Sequence, residues 1–135
     1  MAQAPERIEA DGALLACIVR ADYAPEATTF VTTADLPMQI GFVVYPAGGE
    51  AGAHSHRPVE RRLTLTPEVL FVRSGRCALD VYGEDRALVT TVELGLGDVV
   101  LLIAGGHGVR MLEDTVLLEI KQGPYVGVDE KVRFT

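Results

Sequence analysis

The sequence has no tryptophan, two cysteines and three histidines, and aromatic residues fill only 6% of its 135 positions. Cys17 and Cys77 lie far apart and make no CxxC-type pair, so no dithiol or thiolate-metal motif can be read from spacing. No apolar run approaches the length of a bilayer span. The opening stretch MAQAPERIEADG lacks the basic region and apolar core of a secretory signal. These absences lead us to expect a cytoplasmic protein whose two thiols are reduced core residues.

Positive charge is also short. Twelve Lys and Arg stand against nineteen Asp and Glu, a formal net charge of -7, and the sequence pI is about 4.9. Nucleic acids and anionic membranes need a basic surface, so neither is an expected partner. A small-molecule ligand remains compatible with this balance. The chain also lacks a GxSxG elbow, a Walker loop and a dinucleotide fingerprint. Helical periodicity is nearly absent.

What the sequence does contain is 48% hydrophobic residues, enough for a core in one domain spanning residues 1–135. They fall in short runs rich in Val, Leu, Ile and Thr, broken by Gly, Pro and Asp. Strands are expected at 14–20, 28–33, 38–45, 62–73, 77–82, 88–93, 98–103, 109–112 and 116–121. Ser74-Gly75 and Gly83-Glu84-Asp85 read as hairpin connections, and the glycines of residues 95–98 and 105–108 permit sharp bends. Many short strands at this spacing predict an all-β sandwich or barrel with few or no helices. Residues 1–13 and 122–135 read as arms.

Two of the three histidines form H-S-H after a glycine-rich loop. In extended chain, His54 and His56 point to one face, and neutral imidazole is a good ligand for transition metals. Exposed surface histidines are the plain alternative. Downstream, Glu68 opens an apolar run ending at Gly75, and Gly97-Asp98 opens another ending at Gly105-Gly106-His107.

In this order of residues the chain resembles the cupin superfamily over roughly positions 38–121. Gly48, His54, His56, Glu68 and Gly75 fit its first motif, and Gly97, Asp98, Gly105 and His107 its second. Three departures stand beside the match. Residues 57–67 lengthen the gap between His56 and Glu68, Ile103 replaces the usual proline, and His107 arrives one residue early. The resemblance implies a double-stranded β-helix (jelly-roll) barrel. It also implies one divalent transition metal per chain (Fe, Zn, Mn or Ni), held by His54, His56, Glu68 and His107. Glu60 sits at the family's usual distance and competes for the carboxylate role. Glu68 is preferred because it enters a strand and is followed by glycine at the motif spacing.

If residues 62–72 form a continuous strand, Arg62, Thr64, Thr66 and Glu68 share a face. Arg62 then reaches the mouth of the site and could clamp an anion. Tyr45 and Lys121 are further candidates for contacting substrate, each with a structural alternative: a half-buried core tyrosine and a solvated strand end. Met111 shares a face with His107 and reads as pocket wall or core filler. With such a centre the chain is expected to be a metalloenzyme acting on a small, anionic organic molecule. With iron it would be dioxygenase-like, and with zinc or manganese isomerase-like. The alternative is a non-catalytic cupin module that binds a small ligand or a metal. On the same resemblance a homodimer is expected, with the first thirty or so residues at the interface.

Overall fold

The structure, a computed structural model, describes residues 4–127 and 130–134. Ten strands and no α-helix occur among the described residues. The chain is all-β, as the short β-branched runs imply.

Five strands form the main sheet: β1 (Glu6–Ala10), β2 (Ala13–Val19), β8 (Val99–Leu102), β5 (Glu68–Ser74) and β10 (Val116–Lys121), in that spatial order. Three more form a second sheet in the order β7 (Leu88–Gly95), β6 (Arg76–Tyr82), β9 (Gly106–Met111). A two-residue ribbon pairs β3 (Thr29–Phe30) with β4 (Gly41–Phe42). Every pairing is antiparallel. The described strands form three separate sheets, and no ladder closes them into a barrel.

Strand alternation explains how the two larger sheets pack. On the inner face of the main sheet stand Ala16, Ile18, Leu70, Val72, Val100 and Leu102. They share one cluster with Cys77, Leu79, Val81 and Leu94 of the second sheet. Successive side chains of a strand point to opposite faces, so Cys17, Leu101 and Ile103 lie on the outer face. There they meet Leu36, Met38 and Ile40 from the segment before β4. Strands β2 and β8 are thus covered on both sides, and their unbroken apolar runs follow from that. Fully burying each such Leu, Ile or Val contributes about 1.5–3 kcal/mol. Both thiols are free and buried, and burial raises the pKa of each.

The turn at Gly95–Asp98 ties the layers together. Buried Asp98 accepts hydrogen bonds from the amides of Gly95 (2.8 Å) and Ala21 (2.9 Å). Its carboxylate also meets Arg20 at 3.1 Å, and Arg20 in turn bonds Glu6 at 2.6 Å. One carboxylate therefore fixes a turn and anchors β2, and through Arg20 it reaches β1.

Several expected boundaries are corrected. Within the expected arm at 1–13, residues 6–10 form a strand, because β1 pairs with β2 from Glu6 to Ala10. The stretch E-R-I-E-A offers one buried apolar side chain, Ile8. Its ladder and the Arg20–Glu6 bridge hold it, and hydropathy does not reveal either. The strand expected at 62–73 begins only at Glu68. Before it, residues 57–66 are exposed coil, since no strand among the described residues pairs with them and Pro67 has no amide to donate. The strands expected at 28–33 and 38–45 shrink to the two-residue pairs of β3 and β4. The strand expected at 109–112 starts earlier, at Gly106. The C-terminal residues 130–134 do not trail away either, because Phe134 packs edge-on against Tyr82 with ring centroids 5.0 Å apart.

Candidate functional site

Glu68 is the first residue of β5, and it shares the inner face with Leu70 and Val72. On the opposing sheet, His107 stands across from Val81 and Val109 across from Leu79. Val81 and Leu79 belong to the core, so His107 also points between the sheets. The two side chains meet there, His107 Nε2 lying 3.3 Å from Glu68 Oε1. Glu68 is largely enclosed, its side chain 13% exposed, whereas His107 stands at the exposed mouth, its side chain 30% exposed.

Glu119 and Lys121 extend the cluster from β10, which pairs with β5 so that Lys121 stands opposite Glu68 and Glu119 opposite Leu70. The imidazole of His107 is the main cause that holds the Glu68 carboxyl down to about 2, against the opposing effect of burial. Glu119 moves the other way. Its hydrogen bond to Glu68, then burial, push its pKa up. Two carboxyl groups in contact cannot both ionise freely. The contact therefore favours the ionised form of Glu68 and disfavours that of Glu119. Lys121 lies 3.8 Å from Glu130, whose Oε2 is buried with no hydrogen-bond partner among the described residues.

A cavity of about 670 Å³ opens at this end of the sandwich, lined by Glu68, His107, Glu119, Tyr82, Arg86 and residues 130–134. Glycine shapes its wall. A Cβ on Gly106 would come within 2.7 Å of the Phe134 ring, so only glycine lets the C-terminal aromatic lie against β9. Gly105, at φ +71°, makes the preceding turn in the left-handed region. Arg86 stacks over Phe134 at 5.5 Å from the ring centre, a cation–π contact that adds to the seal.

The expected four-ligand shell appears as two separate pairs. Glu68 and His107 meet in the cleft. His54 and His56 lie together on the exposed coil, with ring centroids 5.2 Å apart and His54 Nδ1 2.8 Å from the Gly52 carbonyl. Among the described residues no three His, Cys, Asp or Glu side chains are placed to hold a metal ion. As placed, the residues do not fit a single 3-His/1-Glu centre. The cause is local. Residues 43–67 contain no strand, so no ladder carries the H-S-H pair onto the sheet. Glu60 is on the same exposed coil, and Glu68 is the carboxylate that meets a histidine.

The other candidates divide in the same way. Arg62 stays on the exposed coil, and the shared strand face that would have carried it into the cleft does not exist. Tyr45 is 51% exposed and Met111 53% exposed, and neither lines the cavity. Lys121 does join the cluster, through Glu130 and through the field it exerts on Glu68 and Glu119. Sequence reasoning missed Glu119, Glu130 and Phe134. For Glu119 a signal existed: in β10 it takes the same inner parity as Leu117, a charge where the pattern calls for an apolar residue.

The chain matches no family model, no curated protein and no solved structure. Its likeness to cupins rests on the motif residues alone.

Proposed function

We propose that the chain is a small-molecule-handling β-sandwich protein of the cupin type, which does its work in the inter-sheet cleft at Glu68 and His107. The observation that carries this reading is the Glu68–His107 pair, two polar side chains from facing sheets meeting at 3.3 Å on the wall of a cavity. Ordinary sandwich interiors are apolar, and a largely enclosed carboxylate such as Glu68 rarely stands there without a role.

An ionised carboxylate bonded to an imidazole fixes the ring's orientation and supports the charge that forms when the ring takes a proton. Glu119 stands beside the same carboxylate, and that contact raises its own pKa. The buried Oε2 of Glu130 offers an acceptor for a donor group on the ligand. These groups suit a small polar molecule with hydroxyl or amino groups, and the chemistry they support is proton transfer. A non-catalytic binding module is the second reading, favoured by the direct Glu68–His107 bridge, which satisfies both groups without a substrate.

The test is a thermal-shift screen of hydroxy acids, amino acids and polyols on the wild type, Glu68→Gln and His107→Ala, with elemental analysis of each protein. The proposal expects stabilisation by one ligand class in the wild type that both substitutions abolish. Equal shifts in all three proteins would remove the cleft from the account. Stoichiometric metal, lost in His54→Ala and His56→Ala, would replace proton transfer with a metal centre that draws the coil onto Glu68 and His107.

A further inference from the structure

The hairpin between β6 and β7 holds an arginine where glycine is the usual residue. The Gly83 amide bonds the Ala87 carbonyl at 2.9 Å, and the Arg86 amide bonds the Gly83 carbonyl at 3.0 Å. Residues 83–86 therefore form a turn that closes on a residue in the left-handed region, Arg86 at φ +67°. L side chains rarely adopt this conformation, and glycine is favoured at that point of such hairpins. Asp11, also at positive φ, is of the short polar type that tolerates the region; arginine is not. Residues held in this way cluster at ligand sites. What the turn supplies here is a guanidinium at the mouth of the cleft. Arg86 is exposed and lines the cavity, and its guanidinium lies 5.5 Å from the centre of the Phe134 ring. That ring meets Tyr82 and the backbone at Gly106, the residue before His107. A continuous run of contacts thus joins Arg86 to the Glu68–His107 pair.

The carboxylates of the cleft are served by other cations. Lys121 lies 3.8 Å from Glu130, and Lys121 and Lys131 both act on the Glu119 carboxyl. Arg86 stands in no ion pair among the described residues. Its neighbour Asp85 turns a carboxylate oxygen to the Ala87 amide at 3.0 Å, and Glu84, on the same wall, does not pair with it. We propose that Arg86 binds the carboxylate of a small hydroxy or amino acid, whose hydroxyl or ammonium group turns toward Glu68, His107 and the buried Oε2 of Glu130. The proposal rests on the cleft reading above and narrows it to one ligand class. A guanidinium presents paired N–H donors that match a carboxylate. A phosphate suits the same fork but carries more charge, which Glu68, Glu119 and Glu130 on the cavity wall oppose. A singly charged acid with a hydrogen-bond donor at its other end meets both regions of the cavity, and about 670 Å³ admits a molecule of that size. The anion contact expected of Arg62 thereby passes to a residue that the β6–β7 hairpin carries to the cleft.

Isothermal titration calorimetry on the intact chain tests this with lactate, glycerate, alanine and serine, each beside its neutral amide. The wild type is expected to bind at least one acid, and to bind the matching amide about tenfold more weakly. Arg86→Gly is expected to lower affinity for that acid by about tenfold and to leave the amide unaffected. Its ligand-free thermal midpoint should hold or rise, because glycine suits the turn; a merely structural stack on Phe134 would lower the midpoint and spare the acid. Arg86→Gln gives the same comparison should the glycine variant fold poorly, and Arg62→Gln should change nothing. Acid and amide binding alike, affinity that survives both Arg86 variants, or a loss confined to Arg62→Gln would each overturn the proposal. The cleft reading outlives those results if His107→Ala still abolishes binding. If no acid binds, the ligand class falls; the cleft falls with it only if the polyols of the thermal screen also fail, or if binding persists unchanged in His107→Ala.

Discussion

Replacing Glu68 by Gln tests the cleft through its pH dependence. The Glu68 carboxyl lies at about 2 against an ordinary 4.5, and each pH unit of that difference corresponds to about 1.36 kcal/mol. The folded state therefore gains at most about 3 kcal/mol from Glu68 ionisation. Glu119, pushed upward by the same contact, opposes this, and the net contribution is on the order of 1–2 kcal/mol. The folded pKa is depressed, so the gain is present above 4.5 and is lost as pH falls from there through about 2. Urea unfolding of wild type and Glu68→Gln across that range measures it. The wild type should be more stable near neutrality by about 1–2 kcal/mol, with the difference shrinking toward zero in acid. A difference that stays constant with pH would mean that the Glu68–His107 contact does not hold the carboxyl ionised.

Three further outcomes are expected. Asp98→Ala should destabilise the chain by about 2–4 kcal/mol, because it leaves the amides of Gly95 and Ala21 without their acceptor and removes one of the carboxylates that Arg20 meets; thermal unfolding checks this, and a loss below about 0.5 kcal/mol would show that the turn holds itself. Leu79→Ala, at a site with no exposure, should cost about 2–5 kcal/mol through the cavity it leaves between the sheets, measured by denaturant midpoint. Phe134→Ala should cost only about 0.5–1.5 kcal/mol but should raise hydrogen–deuterium exchange at residues 106–108, and unchanged exchange would mean the C-terminal wall does not seal the cleft.

Much of the architecture was legible because it follows from local pattern. The apolar runs of β2, β5 and β8 need burial, and the Gly83 turn does make the expected hairpin between β6 and β7, whereas the expected hairpin at Ser74-Gly75 instead carries the chain from one sheet to the other. The H-S-H coil was not legible, because its placement depends on whether a neighbouring ladder exists to hold it. The spacing of His54 and His56 describes one face only if the chain there is extended and paired. β1 was missed for the converse reason: a polar stretch becomes a strand when Arg20 and a ladder secure it. At the site, Glu68 and His107 were readable because each stands at the inner parity of a true strand. Arg62 depended on continuing that parity through Pro67, where the strand does not extend. Glu130 and Phe134 reach the cleft only through the return of the chain's end, and no sequence period encodes such a return.

The most direct measurement is an NMR titration of the uniformly ¹⁵N-labelled chain with the ligand class that stabilises it in the thermal screen. The account predicts that shifts gather on Glu68, His107, Glu119 and Phe134 and vanish in His107→Ala. Shifts that gather instead on the coil around His54 and His56, leaving the cleft residues unmoved, would contradict it.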